Sequence, residues 1–283
     1  MVETVEFKSA AAGIATPLAD WNLAIEHCLQ ANNPQQAVAL AQVILRRLPR
    51  HLPTYQRLVR AAWMLKRWTE GEAWAKRLLR ADPGNPLAWR ALAMAAEQRD
   101  QRAAAYAIWQ RAFEADPYEP EIRAGLSRTS LPATGEGNSD PSSHALQLNP
   151  ACLATLYLRG FRWERAARLY RSLIGVDARR IDFQVGLLAA LWQQRATQET
   201  VHLARYLVQA HAYLLVAWAA LDSTGDADDK ALARNPIAML DPDGDFVGEW
   251  FGLHYAGQPA TLVVYAHEVA LLTGKRDTGY AKR

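Results

Sequence analysis

Pro49, Pro83 and Pro117 recur at i, i+34 and i+68, and the residues before each follow one pattern. Trp21, Tyr55 and Trp89 keep that spacing, as do Ala37, Gly71 and Ala105, then Ala41, Ala75 and Trp109, then Leu45, Leu79 and Phe113. A fixed period of this length arises when copies of one supersecondary unit stack, each burying its apolar face against the next. The N-terminal half is therefore an array of repeats. Such an array offers extended surfaces rather than one closed catalytic pocket.

Each unit reads as two helices. Residues 1–17 are expected to be a flexible lead ending at Pro17, after which Asp20 caps a first helix running to about Ala31. Asn32-Asn33-Pro34 makes a turn, with Pro34 tolerated in the first turn of the next helix. That helix carries Ala37, Ala41, Ile44 and Leu45 at i, i+4, i+7 and i+8, a single apolar stripe. The scheme recurs with helices from Thr54 to about Lys66 and Thr69 to Ala81. It recurs again from Leu87 to Gln98 and Gln101 to Ala115, divided from the second unit by the turn signal Asp82-Pro83-Gly84-Asn85-Pro86.

These residues resemble the tetratricopeptide repeat family: a bulky opener, then Leu and a small residue in the first helix, a small–aromatic–small pattern in the second, and a closing Pro. The third copy fits best, with Trp89, Leu92, Ala93, Ala105, Trp109, Ala112 and Pro117. The first two copies depart from it, with Val59 at a small position and Ala41 and Ala75 at the aromatic one. The resemblance covers residues 18–119. It implies an all-α solenoid of helical hairpins, wound as a right-handed superhelix, in which small residues let paired helices approach and bulky ones fill the gaps.

Beyond Pro117 the period breaks. Residues from Pro120 to about Arg128 start a further first helix that lacks a partner, which closes an N-terminal array over 18–128. Residues 129–148, rich in Gly, Pro, Ser and Thr at their start, are expected to be a mobile linker. Pro150 follows Pro117 at almost the same interval, but no second helix lies between them, so it opens a new helix rather than closing a repeat. A degenerate second array follows over 149–221, with Ala166, Tyr170 and Leu173 in family-like places and Ala212 to Leu221 as its last helix. Residues 222–258 show acids, Gly and aromatics without helical period, apart from Asp228 to Arg234. Pro259 to Thr273 is expected to form a final helix. The C-terminal region 222–283 is thus a non-repeat extension.

Charge is unevenly spread despite a net charge of +3. Arg46 to Arg128 holds 16 Lys and Arg against 9 Asp and Glu, a balance of +7, and Asp222 to Glu249 holds 8 acids against 2 bases, a balance of −6. Such asymmetry suits a partner of opposite sign or two parts of one chain meeting. No apolar run approaches the roughly 20 residues of a membrane helix, so no membrane insertion is expected. The start of the chain lacks the basic and apolar regions of a signal peptide. Cys28 and Cys152 sit alone in helical patterns and read as buried thiols rather than as a disulfide or metal ligands. The cytoplasm is the default compartment.

Motifs for chemistry are missing or incomplete. His267-Glu268 lacks the second His of a zinc helix. Asp241, Asp243 and Asp245 match the first ligand positions of a calcium loop, but Phe246 stands where Gly is needed and Gly252 where Glu is needed. There is no glycine-rich phosphate loop and no nucleophile elbow. No enzyme activity, cofactor or metal is expected.

The resemblance implies that the first helix of each pair lines a concave groove that takes a partner peptide or protein. The groove positions are then Asn22, Glu26 and Leu29, then Gln56, Arg60 and Trp63, then Arg90, Met94 and Glu97, with Trp192 at a similar place in the second array. Trp63 beside Arg60 and Arg90 has the composition of a binding hot spot. Glu26 puts an acid where the basic clamp of chaperone-tail binders needs a neutral or positive group, which argues against that ligand. A second candidate is the stretch 235–257, where Phe246, Trp250, Phe251 and Tyr255 among acids form a docking segment. It is expected to cap the last repeat, to fold back into the chain's own groove, or to enter a partner's in self-association. The function that follows is that of a protein-interaction scaffold or adaptor. The alternative is nucleic-acid or regulatory binding through an Arg-rich face, weakened by the modest net charge and by Trp89 and Trp109 falling at core positions.

Overall fold

The computed structural model describes residues 13–130, 148–251 and 259–272. Helical hairpins dominate. The first array comprises α1 (Leu18–Gln30) with α2 (Pro34–Arg47), α3 (Leu52–Met64) with α4 (Trp68–Ala81), and α5 (Pro86–Gln98) with α6 (Arg102–Ala115), then the single helix α7 (Pro120–Thr129). The second comprises α8 (Pro150–Arg159) with α9 (Trp163–Val176), α10 (Ile181–Gln193) with α11 (Thr197–Ala210), and α12 (Leu215–Thr224) with α13 (Ala227–Leu240), followed by α14 (Asp245–Phe251). Two short strands, β1 (Ile14–Pro17) and β2 (Thr261–Val264), pair antiparallel, and α15 (Ala266–Leu272) ends the described chain. Among the described residues no helix is long and apolar enough to cross a membrane.

Local chemistry explains the hairpin edges. Asn33, Asn85 and Asn149 each accept a hydrogen bond from the backbone N–H three positions on, with Pro immediately after the Asn. In five of the six described hairpins the inner turn holds one residue in the left-handed region; the α12–α13 turn, with Gly225 at φ −73°, does not. Asn32, Lys66, Asp100, Phe161 and Arg195 fill it, with φ between 55° and 58°. Their spacing is 34 within each array, so the backbone itself carries the period.

Packing between hairpins matches volumes. The Trp109 ring of α6 lies on Gly125 of α7, and the Tyr170 ring of α9 lies on Gly186 of α10. In both pairs the glycine stands at i+16 from the aromatic. Where the second helix has Ala instead, at Ala75 and Ala204, the i+16 position holds Ala91 or Ala220. Volume is thus traded across these four interfaces, whereas at the first Ala41 has Arg57 at i+16.

The two arrays share one core. The largest hydrophobic cluster joins Leu52, Tyr55, Val59, Leu78 and Ala88 of the first to Val185, Leu188, Leu207, Leu215, Ile237 and Phe246 of the second. Ion pairs cross the same boundary: Arg111 to Asp182 at 3.0 Å, Arg180 to Glu114 at 2.6 Å, and Arg159 to Asp116 at 3.3 Å.

Several expectations are corrected here. Residues 14–17 are a strand rather than a flexible lead, because they pair with 261–264. Residues 259–273 are not one helix: the run Thr261-Leu262-Val263-Val264, rich in β-branched residues, alternates exposed and buried, and only Ala266 onward is helical. The stretch after Asp222 holds α13 and α14. Asp226 starts α13 with a capping box to Asp229, and Asp241 ends it at the position equivalent to Asp82 and Asp116. The hairpin α12–α13 escapes the period because it is shorter: the helix-ending residues His211 and Asp241 are 30 apart, whereas Asp82 and Asp116 are 34 apart. Most of the expected linker, residues 131–147, lies outside the described residues.

Candidate binding face

The first helices of the N-terminal array lie side by side, and their facing side chains are tied to each other. Arg57 on α3 donates from Nε to Glu26 on α1 at 3.0 Å and from Nη1 to Asn22 at 3.2 Å. Arg60 also reaches Glu26, at 2.8 Å. Arg90 on α5 donates to Glu121 on α7 at 2.7 Å. Glu97 takes Arg128 at 3.2 Å and the indole N–H of Trp109. Glu26, Arg60, Arg90 and Glu97 are thus engaged with residues of neighbouring helices, and Asn22 is buried. They are not free charges. Many basic residues of the array pair with its own acids, but Glu26 serves both Arg57 and Arg60, so a net positive charge remains there.

Trp63 is the exception in kind. The Arg90 guanidinium lies over its ring, 3.8 Å from the centroid. Burial lowers the affinity of Arg90 for its proton, and Glu121 and Glu119 oppose that shift. The indole stays half-buried, and beside it opens a cleft of about 420 Å³ lined by Arg60, Trp63, Met64, Lys66 and Trp68. Lys66 is exposed and Arg60 keeps 42% of its side chain exposed. The cleft therefore combines a held aromatic surface with a positive rim.

The remaining expected groove residues are placed elsewhere. Leu29 is buried in the N-terminal core. Met94 is half-buried and packs against the Trp109–Phe113 cluster. Gln56 lines a second cavity, about 540 Å³, between the two arrays, together with Trp89, Arg111, Phe161, Tyr170 and Phe183. Trp192 is half-buried, packs at the edge of the shared core and donates its indole N–H to Ser223 Oγ of α12 at 2.7 Å.

The acidic–aromatic stretch is built into the chain. Phe246 is 2% exposed and joins Val247 and the Leu52, Tyr55 and Val59 side chains of α3 in the shared core, so it is not available to a partner. Trp250 and Phe251 belong to α14. Their side chains, and Tyr255 entirely, lie outside the described residues. Asp241 is fully buried and accepts the Val247 backbone N–H at 2.9 Å. Burial pushes its carboxyl up to about 6, against the backbone hydrogen bonds from Val247 and Phe246 and helped by Asp245 and Asp243. Asp243 accepts the Ala260 N–H at 3.0 Å, and Arg57 acts on it through its charge. Among the described residues no group of acids, His or Cys has the arrangement of a metal site.

Sequence reasoning does not reach the pairs that join distant parts: Arg111 with Asp182, Arg180 with Glu114, and Glu268 with Arg46 and Arg47. No local signal marks them, because each partner looks like an ordinary surface charge in its own helix.

Comparison with known proteins gives one family match: the tetratricopeptide repeat model matches residues 29–95. No curated protein matches. Solved structures with similarity include Naa15/Naa10 bound to HypK-THB, at 14% identity and a TM-score of 0.31, covering 85% of this chain and 44% of that one. Another is the APC/C hetero-tetramer Cut9–Hcn1, at 11% identity and a TM-score of 0.34, covering 82% of this chain and 48% of that one. The chain spans less than half the length of either.

Proposed function

We propose that this protein, whose residues 29–95 match the tetratricopeptide repeat, is a scaffold or adaptor that binds a protein partner. The binding end is the Trp63 cleft of the first array. The observation that carries this reading is the Arg90–Trp63 stack at 3.8 Å. It holds a large aromatic half-open beside the exposed Lys66 and the partly exposed Arg60. A rigid aromatic in a partly dry cleft with charge at its edge is where binding energy concentrates, and the positive rim selects a partner segment carrying apolar and acidic side chains. A cytoplasmic setting and the absence of catalysis belong to the same reading. Nucleic-acid binding is less favoured, since Arg57, Arg60, Arg90, Arg99, Arg111 and Arg128 are engaged with acids of the chain itself.

Affinity capture from the native organism, comparing wild type with Trp63→Ala by quantitative mass spectrometry, tests the proposal. Partners held by the cleft should fall at least tenfold in the variant, whereas Tyr118→Ala, exposed elsewhere on the array, should leave them unchanged. Equal recovery with both variants would refute the assignment. Binding that collapses with salt in proportion to neutralised phosphates would point to nucleic acid instead.

A further inference from the structure

The outermost repeat of a solenoid has an open apolar face that something must cover. Here the cover for the first hairpin comes from the other end of the chain. Leu262 and Val264 of β2 are buried in the cluster formed by Trp21, Ile25, Leu40 and Ile44, with Val269 and Leu272 of α15 packed at its margin. β2 pairs with β1 from Ile14↔Val264 to Pro17↔Thr261. Glu268 then fixes the helix. Its carboxylate is 3% exposed, receives Arg46 Nη2 at 2.8 Å, is gripped by two nitrogens of Arg47, and accepts the Tyr265 N–H at 2.9 Å. Burial opposes ionisation, but Arg47, the Tyr265 N–H and Arg46 outweigh it and hold the carboxyl down at about 2. Arg47 Nε also donates to the Val263 carbonyl at 3.0 Å, which covers the outer edge of β2. Besides the Asp243 contact, polar contacts of this segment run to β1, Leu18, Gln36, Arg46 and Arg47.

From this geometry we infer that the first hairpin carries a docking site for an extended segment leading into a short helix, occupied in cis by residues 260–272. The recognised chemistry is two apolar residues at alternate strand positions, Leu262 and Val264, followed at i+4 from Val264 by the carboxylate of Glu268 for the Arg46–Arg47 pair. The strand supplies backbone pairing, the alternate side chains enter the core, and the acid sets the register, as in strand-addition recognition. The occupant is this chain's own C-terminal segment, acting as an intramolecular ligand at high effective concentration. The site is separate from the Trp63 cleft and does not depend on the function proposed for it.

A labelled peptide of residues 259–272 tests this on the full-length chain. Glu268→Lys places a cation against Arg46 and Arg47 and should release the segment. The peptide should then bind the variant at least tenfold more tightly than it binds wild type, whose site is filled. Adding Arg46→Glu and Arg47→Glu should abolish that binding. No binding to a Glu268→Lys chain whose helical circular dichroism matches wild type overturns the proposal, as does equal binding to both chains. If the variant fails to fold, hydrogen exchange on wild type decides. The Leu18 amide, bonded to the Ala260 carbonyl at 2.8 Å, and the Tyr265 amide should exchange at least tenfold faster than interior amides of α1. Equal rates would make the segment part of the same cooperative unit and would overturn the proposal.

Discussion

Gly186→Ala offers a test of the packing rule that spaces the hairpins. A methyl group built on Gly186 would stand 2.3 Å from Tyr170 Cζ and 2.6 and 2.7 Å from its two Cε atoms. Carbon atoms in contact prefer about 3.5–4.0 Å, so the ring would have to retreat by more than an ångström. It has nowhere to go: Tyr170 is 4% exposed, lies against Phe183, and keeps its hydroxyl 3.4 Å from Thr155 Oγ1. Overpacking of this kind costs about 1–3 kcal/mol, and the shortness of the contact argues for the upper end. Against it stands the gain of about 1 kcal/mol for replacing Gly by Ala inside a helix. The net loss in the wild-type background is about 2 kcal/mol. In a Tyr170→Ala background the clash is gone and the helix gain remains, so Gly186→Ala should stabilise by about 1 kcal/mol. The substitution changes sign, and the coupling energy is about 3 kcal/mol. The Ala204 and Ala220 pair, one period further along and 0% and 1% exposed, shows that an Ala–Ala contact suits this helix geometry. Urea unfolding of the four chains, followed by helical circular dichroism, provides the measurement. Additivity within about 0.5 kcal/mol, or a loss in both backgrounds, would refute the volume-trading argument.

Two further substitutions probe single sites. Arg195 is exposed and sits at φ 58°. Arg195→Gly should raise the urea midpoint by an amount equivalent to about 0.5 kcal/mol, the relief of a left-handed side chain less the added freedom of the unfolded chain. Arg195→Ala, which keeps a Cβ, should not. Asp241 has a folded pKa of about 6 against an ordinary 3.8, so its ionised form is penalised in the native state. Its favourable share of stability is complete below 3.8 and is lost as pH rises through 6. Asp241→Asn keeps an acceptor for the Val247 N–H and should stabilise by about 1–3 kcal/mol at pH near 7.5, with the gain vanishing near pH 4. A gain independent of pH would show that ionisation is not its cause.

Legibility follows the range of the physical signal. Hairpins α1 to α6 can be read because helix periodicity, Asn–Pro starts and the closing Asp–Pro turn recur locally. The hairpin α12–α13 hides because its shortening removes the period while its caps stay in place. The Leu262–Val264 run satisfies a helix pattern as well as a strand pattern, and only a partner strand at the opposite end of the chain, Ile14–Pro17, decides between them. The candidate site divides similarly. The expectation that Asn22, Glu26, Arg60, Trp63, Arg90 and Glu97 share one face needs only the repeat register. That Arg60 pairs with Glu26, that Trp192 bonds Ser223 and that Phe246 is buried depends on which helices meet.

The repeating unit, the residues that cap and turn it, and the face on which the first helices present their side chains are all written in the order of the amino acids. They arise from interactions within a few tens of positions, where apolar spacing and backbone preferences act directly. Three features emerge only when the helices pack. The second array enters a core shared with the first, Arg57, Arg60 and Arg90 pair with acids of neighbouring helices, and the segment 261–268 meets the first hairpin at Glu268 and Arg46–Arg47. Charges and apolar stripes are interchangeable along a chain. Which of them pair depends on the shape the stacked helices take together.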